Sequence, residues 1–193
     1  MLVEFIDFVD SILPSVSPDF RDGAKKAILQ FEKEGHTLNF LTADKLKELS
    51  QGDILSKVPF TYFKENGEQC IFTADAMVIS TSCHIDQKEK IILVPVFPLI
   101  SFTGNKYDLQ KNIIYDYMYI PDSQMGDKFV DFSILCTYSK SLIMEGIKRG
   151  RIKRIASLNQ LGYYFFIVKL TVYFMRKEDS GTLEERKEGM LAR

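Results

Sequence analysis

The sequence predicts an α+β fold: a helical N-terminal unit, a small antiparallel β-barrel and a closing C-terminal helix. Three observations carry this expectation. The first fifty residues place apolar side chains at helical spacing. From Gln51-Gly52-Asp53 onward the period changes to short apolar strands separated by turn residues. The stretch from Leu158 to Lys177 then runs apolar without a turn signal, too long for an ordinary strand. The expected units are residues 1–50 (helical), 51–177 (barrel with its closing helix) and 178–193 (a flexible tail of mixed charge).

Leu2, Phe5, Ile6, Val9, Ile12 and Leu13 form the apolar side of a first helix, with Glu4, Asp7 and Asp10 opposite and Pro14 ending it. Ser17-Pro18 reads as an N-cap followed by proline at the first helical position. Phe20, Ala24, Ala27, Ile28 and Phe31 are the stripe of that second helix, and Gly35 is its C-terminal stop. A third, shorter helix is expected over Thr42 to Leu49, capped by Thr42.

Strands are expected at 58–63, 69–72, 77–80, 91–96, 113–120 and 129–138, with Gly67 turning between two of them. Such spacing suits a small barrel or a sandwich. For 158–177, Tyr, Phe, Val and Thr favour strand by propensity. Leu161, Phe165, Val168 and Val172 nevertheless fit a helical stripe that Ser157 or Asn159 would cap, so a helix is expected there.

Composition bounds the function. The 193 residues carry a net charge of −1, so any nucleic-acid contact must come from a local cluster. Cys70, Cys83 and Cys136 are odd in number and widely spaced, which suits a reducing compartment better than a disulfide framework. The acidic residues near the start argue against a signal peptide. Leu161 to Met175 is interrupted by Lys169 and falls short of the roughly 20 residues a membrane span needs. A cytoplasmic protein without membrane contact is expected.

The densest group of reactive side chains is Cys83, His84 and Asp86, between the apolar runs 77–79 and 91–96. A cysteine nucleophile needs a base close in space, and His84 and Asp86, two residues apart, are able to share one side. The plainer alternative makes Cys83 a small apolar residue closing a core strand, with His84 and Asp86 in a solvated loop. Zinc is disfavoured, because Cys70, Cys83, Cys136, His36 and His84 lack the close pairing of structural zinc sites. No metal or cofactor is called for. Asp53, Asp75, Asp116, Asp127 and Asp131 are scattered and show neither paired carboxylates nor a calcium-loop spacing.

A second candidate is the basic run Lys148, Arg149, Arg151, Lys153 and Arg154, five cations in seven residues. Such clusters neutralise phosphates and give salt-dependent nucleic-acid binding. Aromatic residues for base stacking are missing within the run, and Ile152 and Ile155 suggest that it lies against the fold.

Four segments, LSQGDILSKVPF, VISTSCHIDQKEKIILVPVFPL, FVDFSILCTYSKSL and RIASLNQLGYYFFIVKLTVYFMR, resemble the landmarks of a group of uncharacterised bacterial and phage-encoded proteins. Their central motif is a strand followed by Ser/Thr-x-x-Cys-Asp, here within SCHID, with His84 standing at the aspartate position. The resemblance spans residues 49–176 and implies a small β-barrel closed by a C-terminal helix, in proteins of mobile or defence-related gene neighbourhoods. The Gly52-Asp53-Ile54 opening also resembles, more faintly, the SH3-like barrel of ribonuclease toxins from toxin–antitoxin modules. Those have an Arg-Pro pair before the second strand. Here that place reads Thr73-Ala74-Asp75-Ala76, which speaks against the nuclease.

The reading that follows is a non-catalytic binding or regulatory component of a bacterial defence or mobile-element system. It would act on a protein partner through the N-terminal helices. The alternative is a cysteine-dependent enzyme or toxin-like ribonuclease centred on Cys83, His84 and Asp86.

Overall fold

A computed structural model describes residues 18–44, 46–175 and 180–191, so the first expected helix lies outside the described residues. The fold is α+β, built on one antiparallel sheet of eight strands. These are β1 (Leu41–Thr42), β2 (Asp53–Phe63), β3 (Gln69–Val78), β4 (Lys90–Pro98), β5 (Tyr117–Ile120), β6 (Lys128–Asp131), β7 (Cys136–Ser139) and β8 (Lys153–Leu158). The helices are α1 (Pro18–Glu34), α2 (Ser82–Gln87), α3 (Lys106–Gln110), α4 (Lys140–Lys148), α5 (Gln160–Met175) and α6 (Ser180–Leu191). Helix α6 occupies the segment read as a flexible tail.

The pairing order is β1-β8-β2-β3-β4-β6-β5, with β7 beside the first half of β4. The two ends of that order do not pair, so the sheet is open and the ladder closes no barrel. The reason lies in β2. Its pairing with β8 stops at Ser56, the register slips at a bulge holding Lys57, and Pro59 has no N–H to offer a neighbour. Strand β7 nevertheless curls towards this free edge. Tyr138 Oη donates to the Pro59 carbonyl at 2.6 Å, and Cys136 Sγ lies 3.5 Å from the Thr61 carbonyl.

Both faces of the sheet are buried, because alternate residues of the long strands feed two separate cores. Leu55, Val58, Phe60, Ala76, Val78, Ile91 and Leu93 form the inner one, covered by Ile85 of α2 and by Ile143 and Ile147 of α4. On the other face Ile54, Met77, Val94, Val96 and Val130 meet α1 and α5. The expected closing helix therefore exists but does not plug a barrel. It packs on the opposite face, and α4 covers the inner core instead.

Helix α5 is placed by its start. Asn159 accepts from the Gly162 N–H at 2.9 Å, and its own backbone N–H donates to the Phe40 carbonyl. A side chain at Gly162 would put its Cβ 2.5 Å from that carbonyl, so glycine allows the close approach. Phe31, Phe40 and Phe165 then meet with ring centroids 4.7–5.8 Å apart, tying α1, the chain before β1, and α5 together. Gly35, at a φ of +56°, ends α1 as expected.

Three expectations fail locally. Among the described residues of 42–49 no helix forms: Thr42 Oγ1 takes the Asp44 N–H, while the carbonyls of Leu46 and Lys47 accept from Arg154. Side chains thus hold backbone groups that a helix would have paired internally. The 129–138 stretch is two strands, because the Asp131 carboxylate takes the Ser133 N–H and turns the chain between them. Of 113–120 only Tyr117–Ile120 is strand. Before it, Asn112 adopts a φ of +55° and its side chain bonds both the N–H and the carbonyl of Tyr119.

Lys169 explains that irregular segment. It lies buried on α5 and donates to the carbonyls of Asn112 at 3.0 Å and Ile114 at 2.8 Å. Burial pulls its amine down to about 8 from an ordinary 10.5, partly opposed by the charge of Asp116. A neutral amine still has two N–H groups for those carbonyls. Between those two pH values the unfolded chain binds the proton that the folded chain has released, so this site adds stability as pH rises. Relative to Lys169→Met, the unfolding free energy of the native protein should gain on the order of 3 kcal/mol across that window, as measured by urea titration at each end.

Candidate functional site

Cys83, His84 and Asp86 all lie on the short helix α2, which links β3 to β4 and is capped by the Thr81 hydroxyl. Ile85 is the residue it buries. Successive helical residues turn by about 100°, so His84 and Asp86 leave on opposite flanks and do not share a side. That overturns the expected histidine–carboxylate pairing. All three side chains are exposed, so Cys83 is not the buried strand-closing thiol of the alternative reading either.

Cys83 borders an open cavity of about 480 Å³ also lined by Gln51, Asp53, Ser157, Asn159 and Tyr163; neither histidine lines it. Tyr163 Oη donates to the Gln51 side chain at 3.1 Å, and Gln51 donates to the Ile79 carbonyl at 2.7 Å. The Asp53 carboxylate, 1% exposed, accepts from the Ser50 N–H at 2.8 Å, from the Ser157 hydroxyl and from Arg154 at 3.0 Å. Apart from the Cys83 thiol, every polar side chain named at this cavity is tied to the fold. Among the described residues no three potential metal-ligating side chains cluster.

The basic run divides by direction. Arg154 turns inward to Asp53 and the carbonyls of the 46–47 segment, so it leaves the nucleic-acid candidates. Arg149 pairs with Glu145 one turn earlier on α4, at 2.5 Å. Gly150, at a φ of +71°, ends that helix and reverses the chain, and Ile152 is buried in the inner core. Lys148, Arg151 and Lys153 remain exposed.

A second opening, of about 360 Å³, lies where α4 faces the free edge of β2. Its walls include Pro59, Tyr138, Leu142 and Ile152, and Lys57, Arg149 and Arg151 stand around it. Sequence reasoning passed over Lys57, Tyr138 and Leu142. Only the bulge in β2 and the unforeseen helix α4 bring them beside the basic run.

A third feature is the outer end of the β2–β3 hairpin. Strand β8 pairs β2 only through Ser56, and β4 pairs β3 only from Asp75 onward. Residues 59–63 and 69–73 therefore form a two-stranded arm beyond the body of the sheet. Its inner side packs Phe60 and Phe72 together, with Phe97 stacked on Phe72 at 5.8 Å. Pro59, Thr61, Phe63, Gln69, Ile71 and Thr73 make up the outer side and are all exposed.

No family model matches the chain, and no curated protein matches it. Among solved structures, an endoribonuclease in complex with its cognate antitoxin from a Mycobacterial species is a weak neighbour. It overlays 68% of this chain and all of its own, at 7% identity and a TM-score of 0.41. A likeness of that size decides neither fold nor activity. No helix among the described residues is long and apolar enough to cross a membrane.

Two outcomes follow. Asp53→Asn leaves the Arg154 guanidinium without its counter-charge and should cost about 3 kcal/mol in urea unfolding, far more than a surface change. In the native protein iodoacetamide should modify Cys83 ahead of Cys70 and Cys136, which are half-buried. Peptide mapping after brief labelling reads the order.

Proposed function

We propose that the protein is a non-catalytic binding or regulatory component that acts through contacts with a protein partner. The observation that carries this reading is the outer side of the β2–β3 arm. Phe63 and Ile71 stand diagonally across the pair with 69% and 73% of their surfaces exposed, and no residue on that side is charged. A phosphate backbone needs cations, and a neutral surface of Thr, Gln, Phe and Ile offers none. An apolar protein surface matches it, since burying large side chains such as these contributes roughly 1.5–3 kcal/mol each.

Helix α1 is a poorer candidate for that contact, because Ala24, Ala27, Ile28 and Phe31 already serve the protein's own core. The arm therefore replaces α1 as the partner surface, while the first expected helix lies outside the described residues. The resemblance to bacterial and phage-encoded proteins supports a setting in defence or mobile-element biology. The enzyme alternative has less support, because Cys83 has no imidazole beside it in its cavity and His84 diverges from Asp86.

A photo-crosslinking residue at Gln69, on the same side of the arm, tests the proposal in the native host. A discrete protein adduct is expected. Phe63→Ser and Ile71→Ser should each suppress it while the melting curve stays put, as for exposed positions generally. An adduct that survives both substitutions, or no adduct at all, overturns the reading.

A further inference from the structure

We propose that the opening between α4 and the free edge of β2 is a second docking site, made for an acidic, amphipathic segment of a protein partner. This rests on the protein-binding reading above and names the chemistry of what is bound. Three features converge on it.

The first is backbone strain. Lys57 adopts a φ of +58° at the bulge of β2, a conformation that is strained for an L-residue and that glycine would adopt freely. Strain of this kind persists where a side chain must be aimed, and here it sends a lysine to the opening.

The second is charge. Arg151 stands exposed just beyond the left-handed Gly150, and Arg149 lines the same opening as Lys57. Glu145 already holds Arg149, which shows that a carboxylate fits the rim and leaves Lys57 and Arg151 for carboxylates brought by a partner. The molecule as a whole is close to neutral, so this cluster is a local departure.

The third is the floor. Pro59, Leu142 and Ile152 are aliphatic, and Leu142 is 60% exposed on a helix whose Ile143 and Ile147 face the inner core. The one ring, Tyr138, has its hydroxyl bonded to the Pro59 carbonyl. Nucleic-acid strands call for several aromatic faces along a cationic track. An aliphatic floor under a basic rim instead takes Leu or Ile side chains below and Asp or Glu side chains above.

The probe is a short fluorescein-labelled peptide alternating leucine and glutamate, read by anisotropy with the full chain. The same peptide with lysine for glutamate and a single-stranded RNA oligonucleotide are run in parallel. The acidic peptide should bind, more weakly at high salt, and Lys57→Glu and Arg151→Glu should each weaken it about tenfold. Lys57→Gly should also bind less well yet melt at a higher temperature, which separates lost contact from lost folding. Phe63→Ser on the arm should leave peptide binding intact, so a failure at this opening is told apart from a failure at the arm. The inference is overturned if the acidic peptide fails to bind, if the substitutions leave its affinity unchanged, or if the basic peptide or the RNA binds better.

Discussion

The buried carboxylate of Asp53 is the point from which the rest of the architecture is set. It starts β2, and its two oxygens gather the Ser50 N–H, the Ser157 hydroxyl and the Arg154 guanidinium into one knot. Arg154 in turn reaches the carbonyls of Leu46 and Lys47, so a segment without ladder bonds of its own is fastened to the sheet. A buried ion pair of this kind adds little net stability over an apolar replacement, but losing one partner is costly. Its effect here is geometric. It fixes where β8 joins β2, and so where that pairing stops and the free edge of β2 begins.

From that seam the sheet serves two cores, and the chain divides its helices between them. The amphipathic α1 and the apolar α5 cover one face, and the short α2 and α4 cover the other. Lys169 shows the cost of putting an apolar helix against an irregular stretch. The carbonyls of Asn112 and Ile114 lack ladder partners, and a buried amine supplies their donors, its pKa drawn down by that burial. The Tyr138 hydroxyl does similar work on the inner face, where it donates to the Pro59 carbonyl beyond the end of the β8 pairing.

What was legible in the sequence was local. The stripe and the Gly35 stop of α1 and the turn at Gly67 depend on neighbours a few residues away and read correctly, and of the two caps offered for α5, Ser157 and Asn159, it is Asn159 that serves. Helix α4 escaped because Ser139 to Ser141 interrupt the apolar pattern and the strand before it runs straight in; Ile143 and Ile147, four apart, were the available signal. Thr42 to Leu49 misled because Arg154, which holds the carbonyls of Leu46 and Lys47, is distant in sequence. The candidate site was legible in the same degree. A basic run was visible, but which cation turned inward depended on Asp53, and the pairing of His84 with Asp86 depended on a strand where the chain makes a helix.

The arm and the basic-rimmed opening have one origin. A β2 that paired β8 along its whole length would cover its own edge, with neither a bulge at Lys57 nor a place for Tyr138 to reach. Pro59, which cannot donate, stands where such pairing would continue, and an exposed edge of this kind is otherwise an invitation to aggregation. The chain blunts the edge in three ways: a proline, a bulge and an exposed lysine. The same three features leave an aliphatic floor with cations around it, and they leave the outer side of the far hairpin uncovered. Protection of the strand edge and provision of a binding surface are thus one structural choice.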